Sequence, residues 1–378
     1  MEESRSILIV TNVDWFLISH RLVLAEAALK AGWRVYVACE DSGRSDEIRA
    51  SGAEFIPFTF SRSGTNIIQE ARLFFRFKEL YKRLRPDVVH QITIKPVVYG
   101  SLAARLEGIP GIVNAISGLG YMFAHGEVGV FQRFILRLMK IGANRRGVSF
   151  IFQNDDDRSI LTRFNVLNQA NRVEIIKGSG VDLKKFGFSP LPDTGLIKIL
   201  LPCRMLWDKG VKELREASEL LKARYSDKIQ FVLVGMADDK NKAGVPETYL
   251  RDWDDGKYVV WMGQQSDMVK FYRACHIVVL PSYREGLPKT LIEACAIGRP
   301  IVTTDAVGCK DCVDQGVNGI KVPVKDSSAL ATALEEMINN RELMIRMGSA
   351  GREKAEKEFD VVGVIDKHLQ IYNSALKT

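Results

Sequence analysis

Short apolar runs of strand length alternate with longer amphipathic segments along the whole 378-residue chain. In the first half the strand-like runs are Ile7 to Thr11, Val35 to Cys39, Glu54 to Phe58, Val88 to Gln91, Gly111 to Ile116, Ser149 to Gln153 and Val173 to Lys177. Leu17 to Ala31, Ile67 to Leu84, Val98 to Leu106 and Val128 to Ala143 lie among them and carry apolar residues at helical spacing. A stretch with two prolines and no periodicity, F-G-F-S-P-L-P-D-T over 186–194, interrupts the pattern. It then restarts with strands Ile197 to Pro202, Gln230 to Gly235, Tyr258 to Met262, Ile277 to Pro281 and Pro300 to Thr304, and helices Val211 to Arg224, Met268 to Ala274, Leu287 to Ala296 and Ser328 to Asn339. β-branched strands alternating with helices predict parallel sheets covered on both faces. The reading is therefore α/β, with two Rossmann-like doubly wound domains, residues 1–187 and 195–361, and a ligand cleft between them. Neither half has an intact G-x-G-x-x-G after its first strand, which weighs against plain dinucleotide binding.

Composition narrows the class. Hydrophobic residues are 46% and charged residues 26% of the chain, a globular profile with a sizeable core. The longest apolar runs are strand-sized, far short of the ~20 residues that span a bilayer. Glu2 and Glu3 precede an early strand, so the expectation is a protein without a secretory signal that stays in the cytosol. The net charge of +7 lies wholly in residues 1–190, with 26 basic against 19 acidic residues, and the remainder balances at 27 each. That asymmetry points to a polyanionic or membrane-surface partner for the first half. No nucleic-acid module accompanies the charge, so no nucleic acid is expected. Cys309 and Cys312 have zinc or redox spacing, but no second such pair exists, and all six cysteines are read as buried thiols.

The chemistry concentrates in P-S-Y-R-E-G-L-P-K-T-L-I-E-A-C-A-I-G-R, residues 281–299. A strand ends, a short loop follows, and a helix opens with Pro288 in its first turn, where a missing N–H costs nothing. Gly286, Leu287, Lys289, Thr290 and Leu291 would bring free backbone N–H groups and the positive end of the helix dipole to one spot, a ready phosphate site. Glu285 lies before the helix and Glu293 about two turns inside it, ~10 Å further on. One carboxylate could then reach a sugar while the other meets ribose hydroxyls. The plainer alternative is a solvated acid beside a helix-surface acid.

Glu285 and Glu293, with seven residues between them inside S-x-x-E-G-x-P-x-x-x-x-E-A-x-A-x-G-x-P-I-V, resemble the E-x7-E signature of family 4 glycosyltransferases, retaining enzymes of the two-Rossmann GT-B type. The resemblance covers nearly all of the C-terminal half. It implies that Arg204 and Lys209, in P-C-R-M-L-W-D-K-G, grip a donor diphosphate, which suits cations that neutralise charge on a leaving nucleotide. It implies that Gly235 and Gly263 let the donor base approach the backbone. G-C-K-D-C-V-D-Q-G-V-N-G, 308–319, resembles a family loop in which glutamate is usual where Asp311 stands. The family's last helix returns to the first domain, and 362–378 has the apolar spacing for it.

The N-terminal half resembles the family more loosely. D-W-F-L-I-S-H-R (Asp14 to Arg21) and I-S-G-L-G-Y-M-F (Ile116 to Phe123) are similar to bacterial members that extend polyprenyl-diphosphate-linked sugars, an N-acetylgalactosaminyltransferase acting on lipid-linked bacillosamine among them. The resemblance makes Asp14, Arg21, Ser117, Gly118, Leu119 and Gly120 candidates for the acceptor. His20 joins Glu285 as a candidate at the reacting centre, with a capping or core histidine as the alternative, and His125 is a weaker candidate. Two basic amphipathic segments, 69–85 and 131–146, mix Phe with Arg and Lys and could lie on an anionic leaflet. Each could equally be a surface helix burying its apolar face. Asp155, Asp156 and Asp157 imitate a metal-binding D-x-D, but they open a helix, where acids cap N–H groups. No metal and no cofactor are expected.

The expectation is a retaining hexosyl- or N-acetylhexosaminyltransferase moving sugar from a UDP-sugar to a polyprenyl-diphosphate-linked saccharide at the inner face of the cell membrane. UDP rather than GDP is implied by the resemblance alone. A nucleotide-sugar epimerase or hydrolase on the same fold is the alternative.

Overall fold

A computed structural model describes residues 5–60, 67–119, 129–193, 195–238, 241 and 243–376. By its contacts the chain forms two compact units, Met1–Ser179 with Val362–Thr378, and Gly180–Val361. The division falls before the proline-containing stretch, not within it. The N–H of Val181 donates to the Phe359 carbonyl at 2.8 Å, and Phe186 and Leu191 pack into the second core, drawing 180–187 into that unit.

The first unit runs β1 (Ser6–Val13), α1 (Asp14–His20), α2 (Leu22–Lys30), β2 (Arg34–Glu40), α3 (Ser45–Ala50), β3 (Glu54–Pro57), α4 (Ile67–Leu84), β4 (Val88–Ile92), α5 (Ser101–Leu106), β5 (Gly111–Ile116), α6 (Val130–Ala143), β6 (Val148–Phe152), α7 (Asp155–Arg163) and β7 (Arg172–Ile175). Its parallel sheet has the order β3-β2-β1-β4-β5-β6-β7. β4, β5 and β6 are buried along their whole length, as parallel strands covered on both faces must be. One face packs α4, α5 and α6 over Phe77, Ala104 and Met139. The other packs α1, α2 and the last helix over Leu17, Ala25 and Ile371.

The second unit runs β8 (Ile197–Pro202), α8 (Val211–Tyr225), β9 (Ile229–Val234), α9 (Glu247–Trp253), β10 (Val259–Trp261), α10 (Met268–Ala274), β11 (Ile277–Leu280), α11 (Lys289–Ile297), β12 (Ile301–Thr304), β13 (Gly319–Val322), α12 (Ser327–Ile338) and α13 (Arg341–Lys354). α14 (Val361–Ala375) closes the chain within the first unit's core. The second sheet, also parallel, has the order β10-β9-β8-β11-β12-β13. In both sheets strand order reverses beside the first strand, between β1 and β4 and between β8 and β11. Ligands of open α/β sheets bind beyond the strand ends at such a reversal.

Three local readings need correction. The single helix expected over Leu17 to Ala31 is two, parted at Arg21, whose φ of −137° leaves the helical region. Its side chain is buried beside His90, His368 and Tyr372, and reaching them breaks the turn. Pro288 is the residue before α11, in extended conformation, and helical geometry starts at Lys289. The helix expected from Val98 begins as a π-turn over Pro96–Gly100.

Candidate functional site

The β8 and β11 loops of the second unit are laced together. The Asp208 carbonyl accepts from the Tyr283 N–H at 2.8 Å and from the Ser282 hydroxyl at 3.0 Å. Gly210, at φ 75°, lies against the Pro281 carbonyl, which a Cβ would strike. These contacts bring the Lys209 ammonium onto the Glu285 carboxylate, and each side chain is only 15% exposed. Burial acts to lower the Lys209 pKa, but the charge and hydrogen bond of Glu285, with Asp208 behind, outweigh it and leave Lys209 above the usual lysine range. A shielded pair of this kind keeps both charges fixed in place.

Glu285 is held from below as well. Its N–H donates to the Val307 carbonyl at 2.9 Å, and Gly308, at φ 82°, packs against the carbonyls of Glu285 and Gly286. Tyr283 donates to the buried carboxylate of Glu213 on α8 at 2.6 Å. Asp208, Glu213, Tyr283 and Gly308 thus support the pair, and of these only Gly308 stood out in sequence, as the start of a loop. The others lie inside D-K-G-V-K-E and S-Y-R-E-G, where chain spacing gives no sign that the two segments meet.

Arg204 follows β8 and lies 3.7 Å from Asp238, more exposed than Lys209. The N–H of Gly235 donates to the Gly263 carbonyl at 2.8 Å, and the Trp261 indole donates to the Gly235 carbonyl at 2.9 Å. The ends of β9 and β10 are thereby tied beside exposed Met236 and Met262. Pro288, which precedes α11, has no side-chain group to cap its first turn. Lys289 and Thr290 are half-buried there, whereas the Leu287 and Leu291 side chains belong to the core, so those two have only backbone to offer. Glu293 is buried in the second turn, accepting from the Tyr272 phenol at 3.1 Å, with the Lys289 ammonium 3.8 Å away. Burial raises its pKa, opposed by Lys289 and the Tyr272 bond. It is neither solvated nor on the helix surface, which removes the plainer alternative for that acid.

In the first unit the Asp14 carboxylate is fully buried and accepts from the Ser42 N–H at 2.7 Å, the Arg44 N–H at 3.0 Å and the Ser42 hydroxyl. Its acceptors are used in holding the turn after β2. Arg21 is likewise buried, and desolvation brings it down to about 10. Both are core groups, not open acceptor contacts. The half-buried His20 ring stacks on Phe16 at 4.5 Å, with Nδ1 2.6 Å from the Ser19 hydroxyl. Ser117 and Gly118 lie just beyond β5, and the N–H of buried Leu119 is 3.3 Å from Asp157 Oδ2. Gly120 and His125 lie outside the described residues.

Asn154 caps α7, accepting from the Asp157 N–H at 2.8 Å, and the three acids fill its first turn. Among the described residues no group of three or more His, Cys, Asp or Glu is placed to hold a metal ion. Cys309 and Cys312 are buried free thiols, and burial pushes Cys309 up to about 12. A shallow groove along the edge strand, lined by Ile320, Val322, Asp326 and Thr332, contains none of the candidate residues. Among the described residues no helix is long and apolar enough to cross a membrane.

Two family profiles match, "Glycosyl transferase 4-like" over residues 6–147 and "Glycosyl transferases group 1" over 197–340. Among curated relatives, the Campylobacter jejuni N,N'-diacetylbacillosaminyl-diphospho-undecaprenol alpha-1,3-N-acetylgalactosaminyltransferase is 26% identical over 91% of this chain and 92% of its own. The Escherichia coli UDP-Gal:alpha-D-GlcNAc-diphosphoundecaprenol alpha-1,3-galactosyltransferase is 24% identical over 89% and 88%. Among solved structures, Anabaena HepE in complex with UDP and glucose superposes with a TM-score of 0.79 at 19% identity, covering 98% of this chain and 100% of that one, a likeness of fold.

Proposed function

We propose, for a chain that belongs to the family 4 glycosyltransferases of GT-B type, that it moves a hexose or N-acetylhexosamine from a UDP-sugar to a polyprenyl-diphosphate-linked saccharide with retention of configuration. The observation that carries the reading is the Lys209–Glu285 pair at the strand reversal of the second sheet, beside the start of α11. A diphosphate entering there competes with Glu285 for the Lys209 ammonium and gains the α11 dipole, with Arg204 on the same loop. Glu285 then turns to the sugar and stabilises charge developing at its anomeric carbon. Glu293 takes the ribose hydroxyls, and Gly235 and Gly263 let the base lie on backbone. The leaving phosphate takes the proton of the acceptor hydroxyl as that oxygen bonds to the anomeric carbon on the leaving-group face. His20 and the Ser117–Gly118 turn are assigned to the acceptor side.

The acceptor class follows the lipid-linked substrates named in the Campylobacter and Escherichia relatives. A membrane-bound acceptor fits the exposed faces of α4 and α6. Val130, Phe131, Phe134 and Ile141 stand in solvent among Arg133, Arg137 and Lys140, and Ile68 and Phe75 among Arg72, Arg76 and Arg83. A helix apolar on its outer face and edged by cations suits an anionic interface. The test is a panel of UDP- and GDP-sugars offered with a polyprenyl-diphosphate N-acetylhexosamine. One UDP-sugar should add a single residue by mass. Free sugar as the sole product would make the chain a hydrolase.

A further inference from the structure

Arg21 leaves helical geometry to carry its guanidinium into the first unit, where it is 3% exposed. No ion pair and no side-chain hydrogen bond to any described residue holds it there. Burying a charge without such a partner costs far more than burying a neutral polar group. Two further elements meet around it. His90 stands on β4 and His368 and Tyr372 on α14, all three fully buried. The ring centres of His90 and His368 are 5.6 Å apart, and those of His90 and Tyr372 5.5 Å. The Arg21 charge acts on all three rings.

The hydrogen bonds already made fix where the protons sit. His368 Nδ1 is 2.7 Å from the Val364 carbonyl, which can only accept, so Nδ1 carries the proton and Nε2 a lone pair. His90 Nδ1 is 2.7 Å from the Tyr372 phenol, whose proton has no other acceptor among the described residues. Tyr372 therefore donates to His90 Nδ1, and the His90 proton is on Nε2. Three buried atoms of this cluster are left without a partner: Arg21 Nε and His90 Nε2 as donors, and His368 Nε2 as an acceptor.

Two donors and one acceptor are not the complement of an ion. An anion has no proton to give His368, and a cation is repelled by Arg21. Water accepts twice and donates as well, and buried waters make about three such bonds to groups otherwise unsatisfied. The 5.6 Å between the rings matches two hydrogen bonds of ~2.8 Å through one oxygen.

We propose that Arg21, His90 and His368 hold one internal water molecule, which fastens α14 to β4 and to the α1–α2 junction. The chain departs from the helix at Arg21 because the guanidinium has to reach that water. α14 carries the chain's return into the first unit, so the water secures that return from inside. The site stands apart from sugar transfer and is independent of it.

A wild-type crystal structure that resolves waters reads the site without any variant. One oxygen within ~3.2 Å of Arg21 Nε, His90 Nε2 and His368 Nε2 is expected. No oxygen there overturns the proposal, and so does anomalous signal at that point after chloride is exchanged for bromide, since the occupant is then an anion. His368→Phe removes the acceptor and should lose the water; a water that stays is held by something else and refutes the assignment. In solution, spectra of the full chain with nitrogen-15-labelled histidine should show His90 protonated on Nε2 and His368 on Nδ1 near neutral pH. The opposite tautomer at either ring contradicts the water's hydrogen bonds.

Discussion

Lys209 and Glu285 neutralise each other in a site where each is largely shielded, so removing either partner has different consequences. Glu285→Ala strips the carboxylate from a buried ammonium and frees that ammonium for phosphate. Turnover is expected to fall by about 10²–10³, the range for losing one transition-state electrostatic contact, while calorimetry finds UDP bound as well as or better than by wild type. Lys209→Met should act oppositely, weakening UDP by roughly tenfold or more in the same titration. Equal UDP affinity in both variants would remove Lys209 from the diphosphate. Gly308→Ala probes the support beneath them. A Cβ there meets two carbonyls of the Glu285–Gly286 segment at a left-handed φ, so activity should drop while circular dichroism shows a folded protein. At this scale the sequence singled out Glu285, Glu293, Arg204 and Lys209, and the structure pairs Glu285 with Lys209 and buries Glu293, while their roles towards a donor rest on the proposed function. The sequence misled at Asp14 and Arg21, because a charged residue in a motif looks the same whether it faces a ligand or is fixed in the core.

Helices and strands were largely legible from periodicity, because parallel strands buried on both faces leave continuous apolar runs. Gly111–Ile116 and Ile197–Pro202 end where the pattern says. β13 was not anticipated, since a four-residue edge strand of Gly-Ile-Lys-Val carries too little signal. The break at Arg21 escaped notice because a side chain reaching into the core leaves no mark on helical spacing. α14 and α6 each carry an expectation at this scale. His368 is buried on α14 and His90 against it, and desolvation depresses both, His368 to about 3. The unfolded rings take protons near 6.5, so below that pH the unfolded chain holds protons that the native fold refuses. Their contribution is complete above about 6.5 and is lost as pH falls towards 3, at about 1.4 kcal/mol per pH unit for each ring. Melting temperature should decline from pH 6.5 to 4.5, and His368→Leu should flatten that decline; an unchanged slope would count against it. For α6, replacing Phe131 and Phe134 by Ser should reduce sedimentation with anionic vesicles at low salt without altering UDP affinity. Undiminished sedimentation would place membrane contact elsewhere.

Taken whole, the molecule repeats one device, a parallel sheet whose strand order reverses beside its first strand. In the second sheet a cation and a carboxylate meet at that reversal. The charge asymmetry noted in the sequence follows the same division, with the basic surplus in the first half and balance in the second. Such a division suits a donor bound through fixed pairs and an acceptor drawn to an anionic surface. The sugar and the linkage were not legible, because they depend on hydroxyl-by-hydroxyl contacts that neither motif spacing nor family likeness specifies. The most direct test is the anomeric configuration of the transferred sugar, read from one-bond carbon–proton coupling in the wild-type product. Retention of the donor's configuration is the outcome that Glu285 and a proton-accepting leaving phosphate require. An inverted product would contradict it.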